Sequence, residues 1–128
     1  MKYALLIYSD ESAWADMTPE AGAAVMDAYN RFGEEAGDRI LAGDGLQGTA
    51  TATTVRVRDG ERLLTDGPFA ETREQLGGFY VIEAGSLDEA IEWAAKIPGA
   101  LNGSVEVRPV MDYEAVRGGS SANAEAVS

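Results

Sequence analysis

A chain of 128 residues that is 45% hydrophobic is long enough for one domain with a modest core and too apolar to stay disordered. Its 22 acidic against 10 basic residues leave a formal net charge of −12, which repels phosphate backbones and anionic lipid, so neither nucleic acid nor a membrane is an expected partner. Without a single Cys or His, it can form no disulfide, thiolate nucleophile, imidazole base, or thiolate or imidazole metal site.

The amino terminus runs straight into a strand pattern with no basic leader, and no apolar run approaches membrane-spanning length, which predicts a cytoplasmic protein. Lys2–Tyr8 is an unbroken apolar run of strand length, and such a run predicts cover on both faces. Ser9-Asp10-Glu11-Ser12 is a polar turn, after which Trp14 and Met17 are expected to fold back as lid or edge packing. Thr18-Pro19-Glu20 supplies an N-cap, a proline at the first helical position and an acidic first turn, so a helix starts there. Val25, Met26, Tyr29 and Phe32 follow at helical spacing as its core stripe, and Gly37 ends it after Ala36.

Ile40-Leu41-Ala42 begins a second strand that ends in Gly43-Asp44-Gly45-Leu46. Asp44 between two glycines is either a turn former or a carboxylate offered to a pocket by backbone that can come close. Thr49–Arg58 is rich in β-branched residues and reads as a strand, with Val55 and Val57 on one side and Thr54, Arg56 and Arg58 on a solvated other. Asp59-Gly60 signals a tight hairpin returning through Arg62–Thr65. Asp66-Gly67-Pro68 then makes a strong turn signal, and Asp66, Glu71, Arg73 and Glu74 fall within nine positions. Gly77-Gly78 leads into a buried strand over Phe79–Ala84.

Ser86-Leu87-Asp88-Glu89 is a capping box for a second helix whose apolar face is Ala90, Ile91, Trp93, Ala94 and Ile97, ended by Pro98-Gly99. Val105, Val107 and Val110 belong to a last strand, with Glu106 and Arg108 on its opposite face. Residues 1–113 make the domain, and 114–128 read as a flexible, small-residue tail. The order β-α-β-(ββ)-β-α-β predicts an α+β, ferredoxin-like antiparallel sheet with two helices on one face and an inserted β-hairpin. Two helices cover one face only, while the first strand and the Phe79 strand read as apolar on both. The other face is therefore expected to meet the same face of a second copy in a homodimer.

The run Asp66-Gly67-Pro68-Phe69-Ala70-Glu71-Thr72-Arg73-Glu74-Gln75-Leu76-Gly77-Gly78-Phe79 resembles the core motif of the YCII-related family, in its DGPF-domain branch. The likeness extends to Lys2–Tyr8, Ala52–Arg56 and Ser104–Val110, and so spans roughly residues 1–111. It implies a dimeric α/β barrel with a cleft near each sheet. Better-known proteins of that family carry a His–Asp pair held to be catalytic, and one is a dehydrochlorinase acting on a chlorinated aromatic diol. This chain has no His, so that pair does not carry over. The resemblance also implies a second class of function, a non-enzymatic interaction or sensing module associated with an extracytoplasmic-function sigma factor.

Any chemistry must run on carboxylates, tyrosine or arginine. Asp66 is the candidate catalytic acid or base, with the turn cap as its plainer role. Asp44, Glu71 and Glu74 are further carboxylates, Arg73 and Arg108 candidate contacts for an anion, and Tyr8 a candidate oxyanion donor. Against these stand surface pairs of Glu71 and Glu74 with Arg73, and a half-buried Tyr8 with a wet hydroxyl. The resulting expectation is a dimeric small-molecule-binding domain with a cleft at the Asp66 loop for a small organic anion or phenol, and with lyase- or isomerase-like chemistry feasible without His. No cofactor is expected, and no metal, because the carboxylate spacing matches no metal-binding loop.

Overall fold

β1 (Lys2–Ser9) is the centre of the sheet because its alternate side chains, Tyr3, Leu5 and Ile7, are all buried. The computed structural model describes residues 1–117. After β1 come a one-turn α1 (Ser12–Ala15), the long α2 (Pro19–Ala36), β2 (Ile40–Gly45), β3 (Thr53–Arg58), β4 (Glu61–Asp66) and β5 (Gln75–Glu83). α3 (Leu87–Ala95), a short α4 (Gly99–Asn102), β6 (Ser104–Pro109) and α5 (Tyr113–Arg117) complete the chain. The main sheet runs β2-β5-β1-β6 with every neighbouring pair antiparallel, and β3-β4 form a separate two-stranded sheet. This is the ferredoxin-like α+β arrangement with an inserted hairpin.

The two principal helices form where the caps said they would. Thr18 Oγ1 accepts from the Ala21 amide at 3.2 Å with Pro19 at the first helical position, and Gly37 closes α2 at φ 55°, a conformation that favours glycine. Ser86 Oγ accepts from the Glu89 amide at 3.2 Å, while the Glu89 carboxylate reaches back to the Gly85 amide at 2.7 Å. α2 and α3 lie on one sheet face. Phe32 and Ala36 from α2 and Ala90 and Ala94 from α3 meet Tyr3, Leu5, Ile7 and Ile82, and Ile97 fills the end. Phe32 packs between Tyr80, tilted with centroids 5.0 Å apart, and Trp93, edge-to-face at 6.3 Å. The fully buried Leu5, Ile82 and Ile97 each contribute roughly 1.5–3 kcal/mol by leaving water.

Several expectations need correction. Met26 is 61% exposed, because the buried stripe of α2 follows Tyr29, Phe32 and Ala36. Trp14 is 48% exposed, with its indole N–H donating to Ser9 Oγ at 3.2 Å. Thr49–Thr51 is a turn of 3-10 helix, so β3 begins at Thr53. β5 starts early, at Gln75, with Gly78 paired in the ladder and Gly77 at its β-bulge. Val110 lies beyond β6, although its amide still donates to the Lys2 carbonyl at 2.9 Å. The Asp59-Gly60 hairpin turn forms with φ 52° and 77°, as a tight primed turn requires. The expected tail begins within α5, and its residues 118–128 lie outside the described residues.

Candidate functional site

The strand registers sort the sheet into two faces. Opposite the helices stand Ala4, Leu6 and Tyr8 of β1, Phe79 and Val81 of β5, Ala42 and Asp44 of β2, and Ser104, Glu106 and Arg108 of β6. No helix covers this face, so Ala4, Leu6, Phe79 and Val81 are only partly buried. An apolar floor flanked by ionisable groups results.

Three of the predicted binding residues are brought together here. Tyr8 is half-buried and pairs with Ser104 and, past a β-bulge after Ile7, with Leu76. Arg108 stands opposite Ala4 and is held by Glu106, whose Oε2 accepts from Nε at 3.1 Å and also from Nη2. That hydrogen bond raises the already high pKa of Arg108, with a smaller electrostatic contribution from Tyr8. Asp44 is no turn former. It lies inside β2 opposite Phe79, where Gly43 lets the strand run close against Tyr80 and Gly78 of β5 leaves room for the Asp44 carbonyl. Glu74 joins this group at the rim, where its Oε1 accepts from Ser104 Oγ at 2.8 Å.

Asp66, Glu71 and Arg73 fall elsewhere. Asp66 ends β4 opposite Thr53, and the following turn at Gly67 (φ 95°) is held without it. There the Gly67 amide donates to the Ala52 carbonyl at 2.7 Å and Thr54 Oγ1 to the Gly67 carbonyl at 2.8 Å. No hydrogen bond among the described residues uses the Asp66 carboxylate, so the turn-cap role is not taken up. Glu71 lines a recess of about 310 Å³ with Thr49, Pro68, Thr72 and Gln75. The expected pairs of Glu71 and Glu74 with Arg73 do not form among the described residues. Arg73 instead acts weakly on Asp10, whose pKa is lowered first by the Ser12 hydroxyl and then by the Ser12 amide.

The residue that organises this end of the sheet is Glu11, in the polar turn after β1. Its two carboxylate oxygens accept from the Thr49 amide and the Thr49 hydroxyl, each at 2.7 Å, and its own amide donates to Gln75 Oε1 at 2.9 Å. Gln75 Nε2 in turn donates to the Thr72 carbonyl at 2.6 Å. These contacts cross 38 and 64 positions of sequence, so no local spacing announces them. They tie the hairpin root and the 66–74 loop to the end of β1, beside Tyr8.

Among the described residues no polar or charged side chain is buried, and no group of three or more Asp or Glu is arranged to hold a metal. No helix among them is long and apolar enough to cross a membrane. Fold and site together define a ferredoxin-like α+β domain whose ionisable groups gather on and beside a helix-free sheet face. The profile of the YCII-related domain matches residues 1–114, and the chain belongs to the YCII-related family. An uncharacterized protein of Rhizobium meliloti (strain 1021) is 43% identical over 119 residues, covering 89% of this chain and 95% of that protein. Among solved structures, 5-chloro-2-hydroxyhydroquinone dehydrochlorinase from Burkholderia phenoliruptrix AC1100, in complex with 2,5-dihydroxybenzoquinone, aligns with a TM-score of 0.47 and 15% identity, over 87% of this chain and 94% of that one.

Proposed function

We propose that the protein is a homodimeric small-molecule-binding domain whose cleft lies on the helix-free sheet face, bordered by the 66–74 loop. The observation that carries this reading is the placement of Tyr8, Arg108 and Asp44 around an apolar floor of Leu6, Phe79 and Val81. A ring fits against Leu6 and Phe79, a guanidinium recognises an anionic or phenolic oxygen, and the Tyr8 hydroxyl supplies a hydrogen bond. Small organic anions and phenols are the ligand class. Closure by a second copy, as a dimeric α/β barrel, would remove the face from water and strengthen each of these contacts. In such an enclosed cleft Asp44 would serve as the proton acceptor of a lyase- or isomerase-like step, since no imidazole is present.

A thermal-shift series with phenols and small carboxylic acids tests this. A ligand at 100 times its Kd stabilises the native state by about 2.7 kcal/mol, well within detection. The expected result is a raised midpoint for the wild type, lost in Arg108→Ala and reduced in Asp44→Asn. Equal shifts in all three proteins would place binding elsewhere. The competing reading, an interaction module for a partner such as a sigma factor, is favoured by one feature, the 79% exposure of Phe69 at the loop tip. It gains if no ligand shifts the midpoint and Phe69→Ala abolishes capture of the sigma factor.

A further inference from the structure

The hairpin β3–β4 has no cover of its own. Its strands make no extended contact with any other element, and a lone two-stranded hairpin is marginally stable in water. One of its faces carries Thr53, Val55 and Val57 against Asp66, Leu64 and Arg62. Val55, Val57 and Leu64 are 57%, 62% and 60% exposed, a contiguous apolar surface on a projecting arm. The arm is nonetheless anchored firmly at its root, through Thr49 on Glu11 and through the Gly67 amide on the Ala52 carbonyl.

We infer that this arm docks on the helix-free face of a second copy of the chain and delivers Arg62 to that copy's Asp44. The inference rests on the homodimer reading above and names the part of the partner that completes each cleft. Three observations select a second copy. The helix-free face is itself apolar and uncovered, so both surfaces gain by meeting. The charges match: of the strand carboxylates on that face, which by register include Glu83 opposite Lys2, Glu106 is paired with Arg108 and Glu83 with the amino terminus, which leaves Asp44 without an ion pair among the described residues. Arg62, on the apolar side of the arm, has none among them either. The reach also suffices. Strands of six residues extend roughly 20 Å, against roughly 14 Å across four strands spaced about 4.8 Å apart.

The absence of native Cys makes the test clean. Full-length Arg62→Cys and Asp44→Cys copies are mixed and treated with a short bis-maleimide, with light scattering on the unmodified protein and Asp27→Cys on α2 as the negative control. The expected result is a covalent heterodimer of twice the chain mass from the Arg62→Cys and Asp44→Cys mixture and none from Arg62→Cys with Asp27→Cys. In parallel, Arg62→Asp weakens dimerisation about tenfold, and adding Asp44→Arg restores it. A dimer by light scattering that gives no such cross-link overturns the arm and leaves the dimer reading standing. A cross-link formed only inside the Arg62→Cys/Asp44→Cys double variant overturns it too, because the arm then folds onto its own chain. A monomer at micromolar concentration overturns both.

Discussion

Gly43→Ala tests why a glycine-flanked aspartate sits in a strand. In a strand interior, alanine in place of glycine would ordinarily stabilise by about 0.5–1 kcal/mol through reduced chain entropy. Here a Cβ would stand 2.7 Å from Tyr80 Cδ1 and 3.1 Å from both Tyr80 Cε1 and the Phe79 carbonyl oxygen. Unstrained carbon–carbon contacts lie at about 3.5–4.0 Å, so Tyr80 must retreat by close to 1 Å. It cannot do so freely, because its ring is 5.0 Å from that of Phe32, which is 3% exposed. Overpacking of this kind costs about 1–3 kcal/mol, which outweighs the entropic gain. We expect a net loss of about 1–2 kcal/mol, or roughly 4–8 °C in Tm for a domain of this size. Urea unfolding followed by far-UV circular dichroism, at one fixed protein concentration, measures it. In the background of Tyr80→Leu, which opens the space, the same change becomes neutral or stabilising. Equal stability of Gly43→Ala and wild type, or simple additivity with Tyr80→Leu, would refute the steric account.

The other predictions concern separate parts of the molecule. Gly33, inside α2, has nothing within 4 Å of the Cβ position, so Gly33→Ala should stabilise by about 0.5–1 kcal/mol in the same urea assay. Glu11→Ala leaves the Thr49 amide and hydroxyl without their acceptor, at a cost of about 1–2 kcal/mol, and hydrogen exchange at Thr49 and Gly67 should quicken as the hairpin root loosens. Burial raises the pKa of Tyr29 and of Tyr80. The stability associated with the neutral phenols is therefore fully present below their ordinary pKa of about 10 and is lost as pH rises through the raised folded values. Midpoints measured across that range should fall for the wild type and fall less for Tyr29→Phe; an unchanged slope in the variant would count against this cause.

Much of the architecture was legible in the sequence because it is locally encoded. Thr18-Pro19, Ser86 through Glu89, Gly37 and Asp59-Gly60 each satisfy or redirect backbone groups within a few residues, so their meaning survives without tertiary context. The unbroken apolar run of Lys2–Tyr8 and the count of helices also pointed to a sheet with one uncovered face. Asp44 misled toward a turn because glycine serves both turns and close strand packing, and only the approach of Tyr80 separates the two. Likewise, Glu71, Arg73 and Glu74 are near neighbours in sequence yet do not pair with one another, since the loop is shaped by Glu11, through Gln75, and by Ser104, both from distant segments.

By itself, then, the sequence determined the family, the order of elements and the chemistry ruled out by the lack of His and Cys, since these depend on composition and short-range pattern. The tertiary structure alone decided that Tyr8, Asp44 and Arg108 share a face while Asp66 stands apart at the root of an uncovered arm. The reason is the two-residue period of β-structure. Which side of a sheet a residue occupies depends on register and on single bulges, such as the one after Ile7, and these are settled by pairing between strands far apart in the chain.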